Sequence, residues 1–344
     1  MSRARTADER IVLKHGAGGR AMRRLIEDVF VAGLPAPTEG VGLAAFDDGA
    51  ALRVGDRWLV LTTDSHVIHP IFFPGGDIGR LAVCGTVNDL AVMGAPEPLA
   101  LTLAVVIEEG FGRDELERIQ RSIVTACNEA GTTIVTGDTK VMGRGELDGI
   151  VINTAGVAFT RRVVPDRGLR PGDAILVSGT LGDHGMAVMA ARGKLDLEVE
   201  LASDVAPVNG LVAAALAAGG EAVTAMKDPT RGGLASALTE MAEKSGVGVM
   251  LDERALPIRG EVRAVSELLG IDPLHVANEG KVVFGVRPDA AAALLAALRA
   301  HPLGRDAAVV GKCLDESRGR VILDTGYGRR LVTEPEGELL PRIC

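Results

Sequence analysis

No dense run of lysine or arginine occurs anywhere in the sequence, and acidic residues outnumber basic ones by 46 to 37, for a formal net charge of −9. A chain of this kind has no basic stripe to neutralise phosphates, which argues against nucleic acid as a partner. Long apolar runs are also missing: Gly, Pro or charge breaks every window well short of the roughly 18 residues that a membrane-crossing helix needs. The start, Met1 to Lys14, holds three arginines and no apolar core of signal-peptide length, so a cytoplasmic location away from the membrane is expected. Cysteine is sparse and scattered. Cys84, Cys127, Cys313 and Cys344 include no Cys-x-x-Cys pair and no histidine at zinc-site spacing, which argues against a zinc module or a disulfide framework. Cys84 and Cys127 lie in apolar, helical contexts and read as core filler. His66 and His69, with no third ligand nearby, read as structural or substrate-facing. Aromatics make up only 3% of the chain and give no sign of an interface.

Glycine is plentiful, with 44 residues, and implies many tight turns and close backbone approaches. At 344 residues the chain exceeds what one core usually supports, so two domains are expected. Strand and helix patterns alternate along both halves. Strands are predicted near 57–63, 99–106, 132–135 and 149–158, with helices over 78–93 and 113–130. After a cluster of arginine and proline at 160–171, the second half shows a strand at 174–178 and helices from 183, over 206–218 and over 233–244. A strand at 281–286, a helix at 290–300 and short strands near 308 and 321 follow. The fold class is α+β, of an α/β-type two-domain kind, divided into an N-terminal flexible segment with a Gly-rich loop (1–40), an N-terminal domain (41–162), a C-terminal domain (163–332) and a tail (333–344). With its prolines and Glu-Pro-Glu-Gly-Glu, the tail is expected to be extended or mobile.

Acids recur where strands end or loops begin: Asp47-Asp48-Gly49, Thr63-Asp64-Ser65, Gly137-Asp138-Thr139-Lys140 and Lys227-Asp228-Pro229-Thr230-Arg231-Gly232-Gly233. A single acid at a loop start is usually a cap or a solvated turn. Four such sites suit a hard cation bound through carboxylate and phosphate oxygens, and Gly232-Gly233, leading into an apolar helix, suits an anion at its N-terminus. Asp89 shares a helical stripe with Ile78, Leu81, Ala82, Gly85, Asn88 and Val92, which turns a carboxylate toward the apolar side. It needs a cation or strong donors there, a structural salt bridge being the competing reading. Lys140 is a candidate for neutralising phosphate, and Glu279, just before a strand, for a general base. His15-Gly16-Ala17-Gly18-Gly19 is either a phosphate-covering loop or a flexible turn; it matches neither a Walker A loop nor a dinucleotide fingerprint.

These segments, with Asn88-Asp89-Leu90-Ala91, Gly182-Asp183-His184-Gly185 and the terminal Pro341-Arg342-Ile343-Cys344, resemble in their order the superfamily of aminoimidazole ribonucleotide synthetase, selenophosphate synthetase and thiamine-monophosphate kinase. Pro-Arg-Ile-Cys at the end is similar to its HypE branch, the carbamoyl dehydratases of hydrogenase maturation. The resemblance implies an ATP-dependent homodimer with two α/β domains. A carbamoyl group delivered by HypF is expected on Cys344 as a thiocarboxamide, to be dehydrated to a thiocyanate whose cyanide passes to the HypC–HypD complex. It further implies that Asp47, Asp48, Asp64, Asn88, Asp89, Asp138, Thr139, Asp228, Gly232 and Gly233 bind ATP. Asp48, Asp64, Asp89, Asp138 and Asp228 would hold Mg2+, Lys140 would meet the phosphoryl oxygen, and Glu279 would take the nitrogen proton. A sibling kinase or synthetase acting on a diffusible substrate, and a non-catalytic nucleotide-binding scaffold, are the alternative readings.

Overall fold

The computed structural model describes residues 10–16, 19–193, 201–334 and 342–344. After a short helix α1 (Gly19–Leu25) come strands β1 (Gly40–Val41), β2 (Ala50–Val54), β3 (Arg57–His66), the hairpin strands β4 (Phe72–Phe73) and β5 (Gly76–Asp77), then β6 (Pro98–Glu108), β7 (Ile134–Met142) and β8 (Ile150–Thr160). Apart from the hairpin, they form one sheet in the order β1-β2-β3-β8-β6-β7. Only β6 and β7 run parallel in it. An antiparallel sheet can keep one face dry and the other wet, and β8 shows this alternation. Ile150, Ile152, Thr154, Gly156 and Ala158 are buried, and the residues between them are half-exposed.

The dry face is covered by α2 (Ile78–Val92), with α3 (Arg113–Ala130) packed outside it. Asp77 starts α2 by accepting from the amides of Gly79 and Arg80 at 2.8 and 3.0 Å, a cap worth about 1 kcal/mol. The helix is apolar nearly all round, so it is buried on every side: its end packs Ala91 and Val92 against Leu211 and Val212 of the second domain. Cys84 and Cys127 lie in the first core. α3 has one apolar edge, Ile119, Ile123, Ala126 and Ala130, and ends at Gly131 with φ +68°, where glycine carries no steric cost.

The second domain holds β9 (Ala174–Val177), β10 (Val223–Lys227), β11 (Gly248–Asp252), β12 (Val283–Val286), β13 (Ala308–Leu314), β14 (Val321–Asp324) and β15 (Arg329–Val332), ordered β10-β12-β9-β13-β11-β14-β15. Around them lie α4 (Asp183–Gly193), α5 (Asn209–Gly219), α6 (Gly233–Ser245), α7 (Gly260–Leu269) and α8 (Ala291–Ala300). Period-2 side chains separate two cores. Ile175, Val177 and Val283 face Leu234, Leu238 and Met241 of α6, whereas Leu176 and Phe284 face α5 and α8. Burying each such side chain contributes about 1.5–3 kcal/mol.

Three expectations change. The acidic segment 136–140, read as a loop, continues β7 to Met142. Part of the flexible segment 1–40 is the helix α1, tied by Arg23 ion pairs to Glu243 of the second domain and to Glu334 at the start of the tail, both at 3.0 Å. Strands β2, β10, β11 and β15 and helix α7 appear where no element was expected. Residues 17–18 of the Gly-rich loop and 335–341 of the tail lie outside the described residues.

Candidate active site

Asp48, Asp64, Asp89 and Asp228 converge where the two domains meet. Asp64 sits on β3 on the dry face, its Oδ2 beside Gly85 of α2: a methyl group at Gly85 would lie 3.4 Å from that oxygen and 2.9 Å from the ring of His66. One turn further along α2, Asp89 is reached by the Thr62 hydroxyl, which is shared between Asp89 Oδ2 at 2.7 Å and the Asp48 carbonyl at 3.0 Å. Burial, then the neighbouring Asp64, Asp228 and Asp48, push the Asp89 carboxyl well above the usual range. Asp228 is pushed the same way by burial and by Asp48 and Asp64, against the pull of Lys227. Carboxylates that raise one another are a repulsion a cation would relieve, and Asp48 Oδ2 has no hydrogen-bond partner among the described residues. These residues therefore fit a hard cation. Among the described residues no three acidic, His or Cys side chains form a ready-made cage, so such a cation would draw the rest of its shell from phosphate oxygens and water.

Sequence reasoning missed the cations that hold this cluster together. Lys227, at the end of β10, places its Nζ 2.5 Å from Asp48 Oδ1, 3.5 Å from Asp166 and 3.6 Å from Glu240. Lys244 of α6 meets Asp166 at 2.5 Å. Asp47 takes the Asp48 and Asp166 amides at 3.1 and 3.3 Å, and burial together with Asp166 and Asp48 pushes it up to about 7. The only sequence signal was the adjacency of Lys227 to Asp228.

Glu279 is buried, and its Oε1 lacks a partner among the described residues. Burial, then Asp228, Asp204 and Asp64, hold its carboxyl well above the ordinary range. Its backbone is fixed from both domains. Asp204 accepts the Glu279 amide at 3.1 Å, and Asn88 donates to the Glu279 carbonyl at 3.1 Å. Asn88 also donates to the Ala206 carbonyl and accepts from the Val208 amide, so its amide fastens this loop to α2. Against the desolvation that opposes it, Lys281 at 2.8 Å keeps Asp204 below the usual carboxylate range. Gly232 and Gly233 open α6 with φ of +78° and +61°, and a side chain at Gly233 would strike the carbonyls of Leu274 and Val276 at 2.6 and 2.5 Å.

The last three residues lie docked in this cleft. The Val67 and His69 amides donate to a backbone oxygen of Cys344 and to the Arg342 carbonyl oxygen at 3.3 and 3.2 Å, just past the end of β3. Ile343 joins the first core, and the Arg342 side chain pairs with Asp148. Burial pushes the Cys344 thiol up to about 12, with Arg231 opposing and Glu279, Asp64 and Asp228 adding to the rise.

Asp138, Thr139 and Lys140 are not brought to this point. Asp64 pairs with Thr154, Thr154 with Leu103 and Leu103 with Gly137. Asp138, next to Gly137, therefore falls three strands away on the opposite, half-exposed face. Lys140 shares that face, exposed and 3.6 Å from Asp138. Beside them, Leu103, Val105 and residues 134–139 line a cavity of about 490 Å3.

The family models "AIR synthase related protein" match residues 46–160 with the N-terminal domain and 170–324 with the C-terminal domain. Carbamoyl dehydratase HypE of Bradyrhizobium diazoefficiens is 50% identical over 343 residues, covering 96% of this chain and 95% of the relative. The crystal structure of a HypE–HypF complex superposes with a TM-score of 0.84 at 45% identity, covering 90% of this chain and 99% of the other. Hydrogenase maturation protein HypE in complex with ATP gives 0.81 at 42%, covering 97% and 99%. No helix among the described residues is long and apolar enough to cross a membrane. With both domains matched and half of its residues shared with a full-length relative, the chain belongs to the carbamoyl dehydratase HypE family of AIR synthase related proteins.

Proposed function

We propose that this chain uses ATP to dehydrate an S-carbamoyl group on its own Cys344 to a thiocyanate, the source of the cyanide ligand in nickel-iron hydrogenase maturation. The observation that carries the reading is the docking of the terminal Cys344 among Arg231, Glu279, Asp64 and Asp228. In a sibling kinase this place would belong to a diffusible substrate, and in a scaffold it would need no buried, unpartnered base. The docked thiol, pushed up to about 12, is a poor nucleophile. Carbamoyl loading therefore belongs to the undocked tail and dehydration to the docked one.

In the docked thiocarboxamide the amide oxygen accepts the γ-phosphoryl group of ATP while the nitrogen gives up one proton. Phosphate then leaves with that oxygen, the nitrogen gives up its second proton, and the carbon–nitrogen triple bond forms. Glu279, in its ionised form, is the acceptor for a nitrogen proton, because burial makes its carboxylate a stronger base than an ordinary one. Arg231 lies beside the sulfur and meets charge developing there. Asp48, Asp64, Asp89 and Asp228 would hold Mg2+, which when bound offsets charge on the transferring phosphoryl group.

Lys140 and Asp138 serve this site from a second copy of the chain, since their own copy holds them on the far face of the sheet. That face carries half-exposed Leu59, Leu61, Val151 and Val157 and exposed Phe159, which supports a homodimer. HypF is the carbamoyl donor and the HypC–HypD complex the cyanide acceptor, all in the cytoplasm. Intact mass measured after incubation with HypF, carbamoyl phosphate and ATP tests the reading. A carbamoyl adduct on Cys344 that loses one water with ATP is expected, and an adduct on another cysteine, or one that never loses water, overturns it.

A further inference from the structure

One residue of the cleft has no part in the chemistry above. His184, in the first turn of α4, is fully buried, with Phe73 edge-on at 5.4 Å. Its Nε2 lies 2.7 Å from the Ile343 carbonyl oxygen, and its Nδ1 lies 2.8 Å from Ser203 Oγ. A carbonyl only accepts, so Nε2 carries the proton, and burial, its leading influence, keeps the ring neutral. Nδ1 is then the acceptor and Ser203 the donor. Ser203 is itself fixed: its amide donates to the Pro74 carbonyl at 2.8 Å and its hydroxyl oxygen accepts from the Val205 amide at 3.1 Å. The ring therefore presents one N–H at one angle. Arg192, on the other end of α4, donates to the carbonyls of Arg342 and His69 at 2.7 and 2.9 Å, so a single helix grips two successive carbonyls of the tail.

We propose that His184, oriented by Ser203, is the positioning residue that seats the C-terminal tail, and that this seat sets how often Cys344 leaves the cleft. The contacts alone support the seat; its bearing on dehydration rests on the carrier reading above. Removing the Nε2 donor strands the Ile343 carbonyl in a buried place and weakens docking without touching a group that meets ATP or the carbamoyl carbon.

His184→Asn and His184→Gln separate the seat from the fold. Asparagine keeps a polar group near Ser203 but is too short to reach Ile343, whereas the glutamine amide places a donor near the position of Nε2. The measurement is the rate at which iodoacetamide alkylates each cysteine of the full-length chain, followed by peptide mass spectrometry with no ATP or partner present. Loss of one hydrogen bond raises Cys344 alkylation in His184→Asn by roughly fivefold, the equivalent of about 1 kcal/mol. Cys84, Cys127 and Cys313, all buried, stay as protected as in the parent, and His184→Gln stays near the parental Cys344 rate. The seat is refuted if Cys344 in His184→Asn reacts at the parental rate, if the two variants react alike, or if all four cysteines open together, which would make His184 a core residue. Because the assay needs no turnover, the seat can fail while the carrier reading stands, and the reverse.

Discussion

Replacing Lys227 with methionine tests what holds the acidic cluster together. Asp166 would keep Lys244 at 2.5 Å, and Glu240 would keep Arg23 at 3.4 Å. Asp48 has no second cation among the described residues, so the change leaves one buried carboxylate with its Oδ1 partner gone and its Oδ2 already unpartnered. Breaking a buried pair from one side costs about 3–5 kcal/mol, and for a domain of this size that lowers the unfolding midpoint by roughly 10 °C. Adding Asp48→Asn removes the stranded charge, so the double variant should recover a large part of the loss. Thermal and urea unfolding of the parent, both single variants and the double variant, at a pH near 8 and without nucleotide, give the cycle. The reasoning fails if Lys227→Met stays within about 1 kcal/mol of the parent, inside the range of ordinary surface changes, or if Asp48→Asn does not offset it.

Three further outcomes are expected. Glu279→Gln should slow ATP-driven loss of water from the carbamoyl adduct by roughly a hundredfold or more and leave loading of the adduct intact; equal loss in both steps, by time-resolved intact mass, would count against a base. Asp47 has a folded value near 7, above the ordinary carboxylate range, so its folded form holds the proton more tightly. Its stabilising share is full below the unfolded carboxylate range and is lost as pH rises through about 7. Denaturation midpoints of the nucleotide-free chain should thus fall from acidic to alkaline pH, and magnesium with ATP should flatten the slope; a midpoint rising over that window contradicts the assignment. Lys140→Ala chains mixed with chains lacking Cys344, each inactive alone, should regain about a quarter of parental turnover if Lys140 acts across a two-fold interface, and none if it acts within its own copy.

How much could be read from the sequence depended on how local the signal was. The acids announced themselves because each was read beside glycine or at a strand end, and α2 and α3 because their helical periodicity falls within one short segment. Asp166 and Lys244 were silent, and Lys227 was marked only by the aspartate that follows it. Their partners are far away in the chain, and a lysine at the end of a strand or within a helix carries no mark of the aspartate it will meet. β7 was cut short because an exposed edge strand has no dry face to impose alternation, so Gly137-Asp138-Thr139-Lys140 looked like a loop. Asn88 was expected at the cofactor on the resemblance alone, and nothing in its own short segment points to the distant backbone groups it meets. Its partners turned out to be backbone groups of the loops bearing Ala206, Val208 and Glu279.

The hydrogen bonds that Val67, His69, His184 and Arg192 make to the end of the chain reach its backbone oxygens. None of them reads what the sulfur carries. A clamp of this kind holds free thiol, thiocarboxamide and thiocyanate with nearly equal free energy, and equal affinity for two states shifts nothing between them. The direction of the cycle therefore has to come from ATP cleavage and from the groups around the sulfur, not from this clamp. The backbone clamp works as an indifferent holder, open to each cargo in turn.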